Sequence, residues 1–132
     1  MEQYNLKLKV LDGLFCIFRL EPFQVIPKWA TAGTFFSITR AEEELSIVCS
    51  QNSVPEDIES QMVCENGWKC LKVEGPLDFS LTGILARLSS ALADAGVSIF
   101  AISTYDTDHI LVKEVNLENA INALVSHGCM IQ

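Results

Sequence analysis

The stretch LDFSLTGILARLSSALADAGVSIFAISTYDTDHILVK, residues 77–113, constrains this chain more than any other. Leu81, Ile84, Leu85, Leu88, Ala91, Leu92 and Ala95 recur at helical spacing, and Arg87, Ser90 and Asp94 fall opposite them. The spacing predicts a helix over residues 81–95, about 22 Å long at 1.5 Å per residue. Asp78 or Ser80 can cap the amides at its start, and Gly96 suits the left-handed residue just past its end. Residues 97–104 (VSIFAIST) follow as a strand with apolar side chains on both faces, which predicts a central place in a sheet. Residues 105–108 read as a turn, and residues 109–113 as the antiparallel return.

The elements on either side extend the pattern. Residues 68–74 (WKCLKVE) alternate, with Leu71 and Val73 inward, and Gly75-Pro76 breaks the strand. After the return strand, Asn116 is placed to cap a second helix with Leu117, Ala120, Ile121, Leu124 and Val125 inward. Gly128 ends that helix, and residues 129–131 form a last short strand. From Trp68 onward the order is strand, helix, strand, strand, helix, strand, the split β-α-β arrangement of a ferredoxin-like sandwich.

The first half offers a weaker copy of the same order. Residues 4–10 alternate, with Leu6, Leu8 and Val10 on one face. Asp12-Gly13 marks a turn, and residues 14–20 (LFCIFRL) form an apolar run of strand length. Pro27 fits the first turn of a short helix over residues 27–31, stopped before Gly33. Residues 35–40 and 45–49 are rich in β-branched and aromatic residues, joined by the polar connection at residues 41–44. Residues 51–65 read as a solvated acidic loop with one helical turn at most. The expected division is therefore an N-terminal unit at residues 1–66 and a C-terminal unit at residues 67–132.

Bulk properties narrow the partners. The net charge of −8 and only nine scattered Lys and Arg residues exclude a basic face for nucleic acid or anionic membrane. No apolar run approaches the roughly 20 residues of a membrane span, and the N-terminus lacks the pattern of a signal peptide. Five cysteines, an odd count, read as free thiols of a cytoplasmic protein. Cys64 and Cys70 lack the spacing of a zinc site. His109 beside Asp106 and Asp108 reads as a polar hairpin tip, and His127 as a cation at a helix C-terminus. No nucleophile–base motif or phosphate loop occurs, so no catalytic residue, metal or cofactor is expected.

The segment GPLDFSLTGILARLSSALADAGVSIFAISTYDTDHILVKEVNLENAINAL resembles the ACT domain. More narrowly, it is similar to bacterial proteins with two such units in tandem, related to the regulatory region of aspartate kinases. The segments FFSITR and ELSIVC match the first unit of that group. The resemblance implies an α+β fold of two ferredoxin-like (βαββαβ) units in tandem, with antiparallel sheets and helices on one face. It implies a regulatory module of amino-acid metabolism, without catalysis, that binds a free amino acid where ACT units pair. The positions carried over are Asp78, Phe79, Ser80, Leu81, Thr82, Gly83 and Ile84 around the helix start. On the strand they are Ile99, Phe100, Ala101, Ile102, Ser103 and Thr104. The equivalent loop of the first unit, residues 21–28, lacks the helix-opening glycine pattern, so no second equal site is expected there.

The residue chemistry suits such a ligand. Amides at a helix N-terminus favour a carboxylate, and Asp78 can pair with an ammonium. Gly83 permits close approach, and Ser80, Thr82, Ser103 and Thr104 supply orienting hydroxyls. A homodimer through ACT–ACT pairing is expected, since closed twofold pairs are the commonest oligomers. The alternative is an assembly module that keeps this fold without a ligand.

Overall fold

Alternation at the N-terminus produces a strand, β1 (Lys7–Val10), which buries Leu8 completely and leaves Lys7 and Lys9 exposed. The computed structural model describes residues 6–58, 61–74 and 83–132. Contacts divide the chain into two compact units, Gly13–Trp68 and Met1–Asp12 with Lys69–Gln132. The sequence division at residue 66 would leave β1 with the first unit; by contacts it belongs with the C-terminal residues.

The Gly13–Trp68 unit contains β2 (Phe15–Leu20), β3 (Ser37–Arg40), β4 (Leu45–Ser50) and the beginning of β5 (Val63–Val73). Their order is β3–β4–β2–β5, and every pair is antiparallel. Cys16, Phe18 and Leu20 of β2 face the same core as Leu45, Ile47 and Cys49 of β4. The expected helix after Pro27 is a 3-10 turn, Lys28–Thr31. Four residues give too few i→i−4 bonds for an α-helix, but the turn buries Ala30 and brings Trp29 against Phe18 at a ring-centroid distance of 5.1 Å. The acidic loop holds a second 3-10 turn, Gln51–Ser53.

The other unit contains the end of β5, α1 (Ile84–Asp94), β6 (Phe100–Ser103), β7 (Asp108–Lys113), α2 (Leu117–Ser126) and β8 (Met130–Ile131), together with β1. The strand order is β6–β7–β5–β1–β8. β1 lies antiparallel to β5, with Leu8 opposite Val73, and parallel to β8, with Leu8 opposite Ile131. That parallel pair departs from the antiparallel sheets expected. The last strand meets the sheet on the far side of β1 rather than on β5, so β1 sets its direction.

Both helices cover one face of this sheet. Ile84, Leu88, Ala91 and Leu92 of α1, with Ala120 and Leu124 of α2, pack in one cluster with Leu8, Leu71, Val73, Ile110 and Val112. Both helices end as the sequence suggests. The Val97 amide donates to Leu92 O and the Gly96 amide to Ala93 O, each at 2.9 Å, and Cys129 and Gly128 repeat the pattern on Leu124 and Val125. Asn116 makes no side-chain cap; a 3-10 turn, Glu114–Asn116, leads straight into α2.

β6 is the second departure. It was expected to be central, yet among the described residues it pairs only with β7. Its two apolar rows have separate explanations. Ile99 packs on the helix-covered core, whereas Phe100 and Ile102 lie opposite Leu111 and His109 of β7.

All five cysteines are free, and four are buried. Cys16 and Cys49 face each other across the β2–β4 ladder as thiols. Burial pushes the Cys49 thiol up to about 11 and the Cys70 thiol up to about 12, so neither is a ready nucleophile.

The position of β1 gives a test. A fragment of residues 69–132 lacks the strand that joins β5 to β8, and should show no cooperative thermal transition. Adding a synthetic peptide of residues 6–12 should restore one. In the full chain, Leu8→Ala should cost about 2–5 kcal/mol by denaturant titration. A fragment that melts cooperatively without the peptide would show that β1 is dispensable.

Candidate ligand site at the β6–β7 hairpin and the start of α1

The site expected from sequence has two parts, and the structure describes them unequally. Asp78, Phe79, Ser80, Leu81 and Thr82 lie outside the described residues. Gly83 stands at the N-cap of α1 with φ +79°, and Ile84 behind it is buried in the core. The Gly83 carbonyl accepts the Arg87 amide at 2.9 Å, the first bond of the helix. Close approach had been the expected reason for a glycine here. Nothing lies within 4 Å of a Cβ built at this position. Within the described residues the glycine answers to the left-handed backbone, which it adopts at no steric cost.

The strand half is fully described. Ile99 packs against the core, and Phe100 and Ile102 are half-buried. Ala101 and Ser103 are exposed, and they share a face with Ile99 because side chains alternate along a strand. That is the face α1 and α2 cover elsewhere: Ala101 pairs with the core residue Ile110 and Ser103 with Asp108. The outer part of β6 thus forms a ledge of small side chains at the margin of the sheet.

The turn beyond the ledge is held by its own polar groups. Ser103 Oγ donates to Asp108 Oδ1 at 2.6 Å. The Thr104 amide donates to Thr107 O at 2.8 Å, and its hydroxyl donates to the same carbonyl at 3.0 Å. The buried Thr107 hydroxyl donates to Val73 O at 2.6 Å, tying the turn to β5. Sequence reasoning proposed Ser103 and Thr104 as ligand-orienting hydroxyls, and both have work within the hairpin. It read Asp108 with Asp106 and His109 as part of a polar hairpin tip and did not pair it with Ser103. The available signal was the register: a four-residue turn at 104–107 puts Ser103 directly opposite Asp108.

His109 follows Asp108 in the chain but points to the opposite face, where it is buried. The apparent cluster of Asp106, Asp108 and His109 is therefore divided by the strand, and the described residues hold no grouping of three that suits a metal. Desolvation, then the nearby Lys72 ammonium, holds the His109 imidazole below its ordinary range; the Asp108 carboxylate opposes them.

Two measurements follow from this geometry. Gly83→Ala should cost about 1–2 kcal/mol, the penalty of a Cβ in the left-handed region, read from the denaturation midpoint. Equal stability would mean that the helix entry relaxes to another conformation. His109 binds a proton less readily folded than unfolded, so the unfolded state takes up more protons below the unperturbed value near 6.5. Its contribution is fully present above that value and declines as pH falls toward the lower folded value. His109→Gln should flatten the loss of stability between about pH 7 and pH 5. An unchanged slope would assign the pH response to other groups.

A family model described as the ACT domain matches residues 63–126, and a model described as an N-terminal domain matches residues 13–57. A protein of Agrobacterium tumefaciens known from its X-ray crystal structure is 41% identical. The match covers 97% of this chain and 92% of that one, with a TM-score of 0.88. The human "Cytosolic arginine sensor for mTORC1 subunit 1" is 34% identical over 95 residues, 69% of this chain. This chain spans only 29% of that relative's length. The ligand-free regulatory subunit of aspartate kinase from Thermus thermophilus shares the fold, with a TM-score of 0.64 at 12% identity, covering 91% of this chain and 95% of that one. The α+β architecture, the helix-covered sheet and these matches agree: the chain carries an ACT domain, matched over residues 63–126.

Proposed function

We propose that this chain is a non-catalytic regulatory module that senses a free amino acid, bound where β6 and the start of α1 meet a second ACT unit. The observation that carries this reading is the ledge on β6. A sheet margin with exposed small side chains on the helix-bearing face leaves room for a ligand and for another strand. Ser103 fixes the Asp108 carboxylate beside that ledge, a suitable partner for an ammonium or guanidinium group. The Gly83 turn opens a helix whose first amides suit a carboxylate. The proposed contacts are Asp78 through Ile84 on one side and Ile99 through Thr104 on the other, with Asp108 added. The human relative is described as an arginine sensor, which supports an amino acid as the ligand class.

Among the described residues β6 pairs only with β7, and its other edge supports a homodimer through ACT–ACT pairing, since an unpaired strand edge is a template for another strand. Buried free thiols fit a cytoplasmic location, and no helix among the described residues is long and apolar enough to cross a membrane. One observation favours the ligand-free assembly module instead: the hydroxyls of Ser103 and Thr104 already bond within the hairpin.

A thermal-shift screen with the free amino acids separates the two readings. A ligand at 100 times its dissociation constant should stabilise the fold by about 2.7 kcal/mol. Asp108→Asn should then weaken that ligand by about 1.5–3 kcal/mol, the range of a hydrogen bond to a charged group. If no amino acid shifts the transition at millimolar concentration, the module is an assembly unit.

A further inference from the structure

We propose that one end of the Gly13–Trp68 unit, formed by residues 21–25 and the β3–β4 turn, docks a cationic, apolar segment of a partner protein. This surface is separate from the amino-acid site and goes beyond that reading. After β2 the chain runs EPFQVIP. The Gln24 amide donates to Glu21 O at 3.1 Å and closes a turn. Arg40, the last residue of β3, donates through its guanidinium to Pro22 O at 2.7 Å and to Gln24 O at 3.0 Å. Ile26 then packs on the core beside Trp29. The segment is held at both ends and in its middle.

Its two large apolar side chains nevertheless face water. Phe23 is 86% exposed and Val25 is 84% exposed. A single exposed apolar residue is ordinary. Two within three residues, on a segment held by bonds from a neighbouring strand, form a prearranged contact. A partner pays little ordering cost on such a surface, and an aromatic ring is the side-chain type that anchors interfaces.

The surroundings select the partner's charge. The β3–β4 turn closes through the Ala41 amide and Glu44 O at 2.8 Å and leaves Glu42, Glu43 and Glu44 exposed. Arg19 donates to Glu43 O at 3.0 Å. Glu21 opens the apolar segment, and Glu42, Glu43 and Glu44 follow Arg40, whose guanidinium reaches that segment; these four exposed carboxylates stand against the guanidinium groups of Arg19 and Arg40, whose hydrogen bonds reach backbone carbonyls. The local excess is acidic, as is the whole chain at −8. Anionic lipid and nucleic acid are repelled, whereas apolar side chains flanked by Lys or Arg find complementary partners on both counts.

A fluorescein-labelled peptide of alternating lysine and leucine is the probe, read by anisotropy against the full chain. It should bind saturably, and a peptide of alternating glutamate and leucine should not. The double variant Phe23→Ser/Val25→Ser and the triple variant Glu42→Gln/Glu43→Gln/Glu44→Gln should each weaken binding at least about tenfold, with unchanged melting temperatures. Amide chemical shifts should move at residues 21–25 and 41–44. Equal affinity in both variants, equal binding of the glutamate peptide, or no saturable binding overturns the proposal. So does sedimentation in which the double variant turns a dimer into a monomer, because a second copy would then occupy the surface.

Discussion

Leu8 is the point on which the C-terminal unit depends. It is fully buried, opposes Val73 on one side and Ile131 on the other, and belongs to the core that α1 and α2 cover. Through it the first strand of the chain becomes an inner strand of a unit whose remaining residues begin only at residue 69. The ladder continues beyond β1 itself: Leu11 donates to Cys70 O at 2.9 Å and Gln132 donates to Leu8 O at 2.8 Å. A sheet completed by a strand so distant in sequence closes a long loop when it forms. Loop-closure entropy makes such pairing slow rather than weak.

With its centre fixed, the unit has a defined margin at β6, and the polar chemistry collects there. Thr107 reaches back to Val73, so the hairpin is anchored to β5 by a buried hydroxyl as well as by its ladder. Ser103 and Asp108 sit at the tip of that anchored hairpin. A site built on such a hairpin presents its groups in one geometry, which is what differential recognition of a small ligand requires.

Much of this was legible in the sequence because the signals were periodic and local. The stripe through Ile84, Leu88 and Leu92 gave the helix its face, and the glycines at 96 and 128 gave both helices their ends. What was not legible depends on contacts distant in sequence. β1 carries a plain alternating pattern, which says that Leu8 is inward and nothing about which sheet receives it. β6 looked central because alternation cannot distinguish burial under a helix, as for Ile99, from burial against β7 neighbours, as for Phe100 and Ile102. At Gly83 the backbone adds a requirement of its own, the left-handed angle, which leaves the same mark on a sequence as the close approach of a ligand. Asp108 was legible as part of a polar hairpin tip, but its hydrogen bond with Ser103 was not, because that pairing is a fact of register.

The Gly13–Trp68 unit shows how an element order can persist while its helices dwindle. Among its described residues the helical positions are 3-10 turns of four and three residues. Its core is covered instead by side chains delivered singly from irregular chain: Ile26, Trp29, Val54 and Ile58 pack against Phe18, Leu45 and Ile47. Covering a sheet this way buries apolar area without a continuous amphipathic stripe, so the sequence shows no 3.6-residue period there. It also fixes which residues remain outside. The loop inserts Ile26 into the core and leaves Phe23, in the turn before it, and Val25 on the solvent side. Where a regular helix would have hidden its apolar stripe, the irregular cover leaves a pair of apolar side chains standing on a loop that Arg40 holds still.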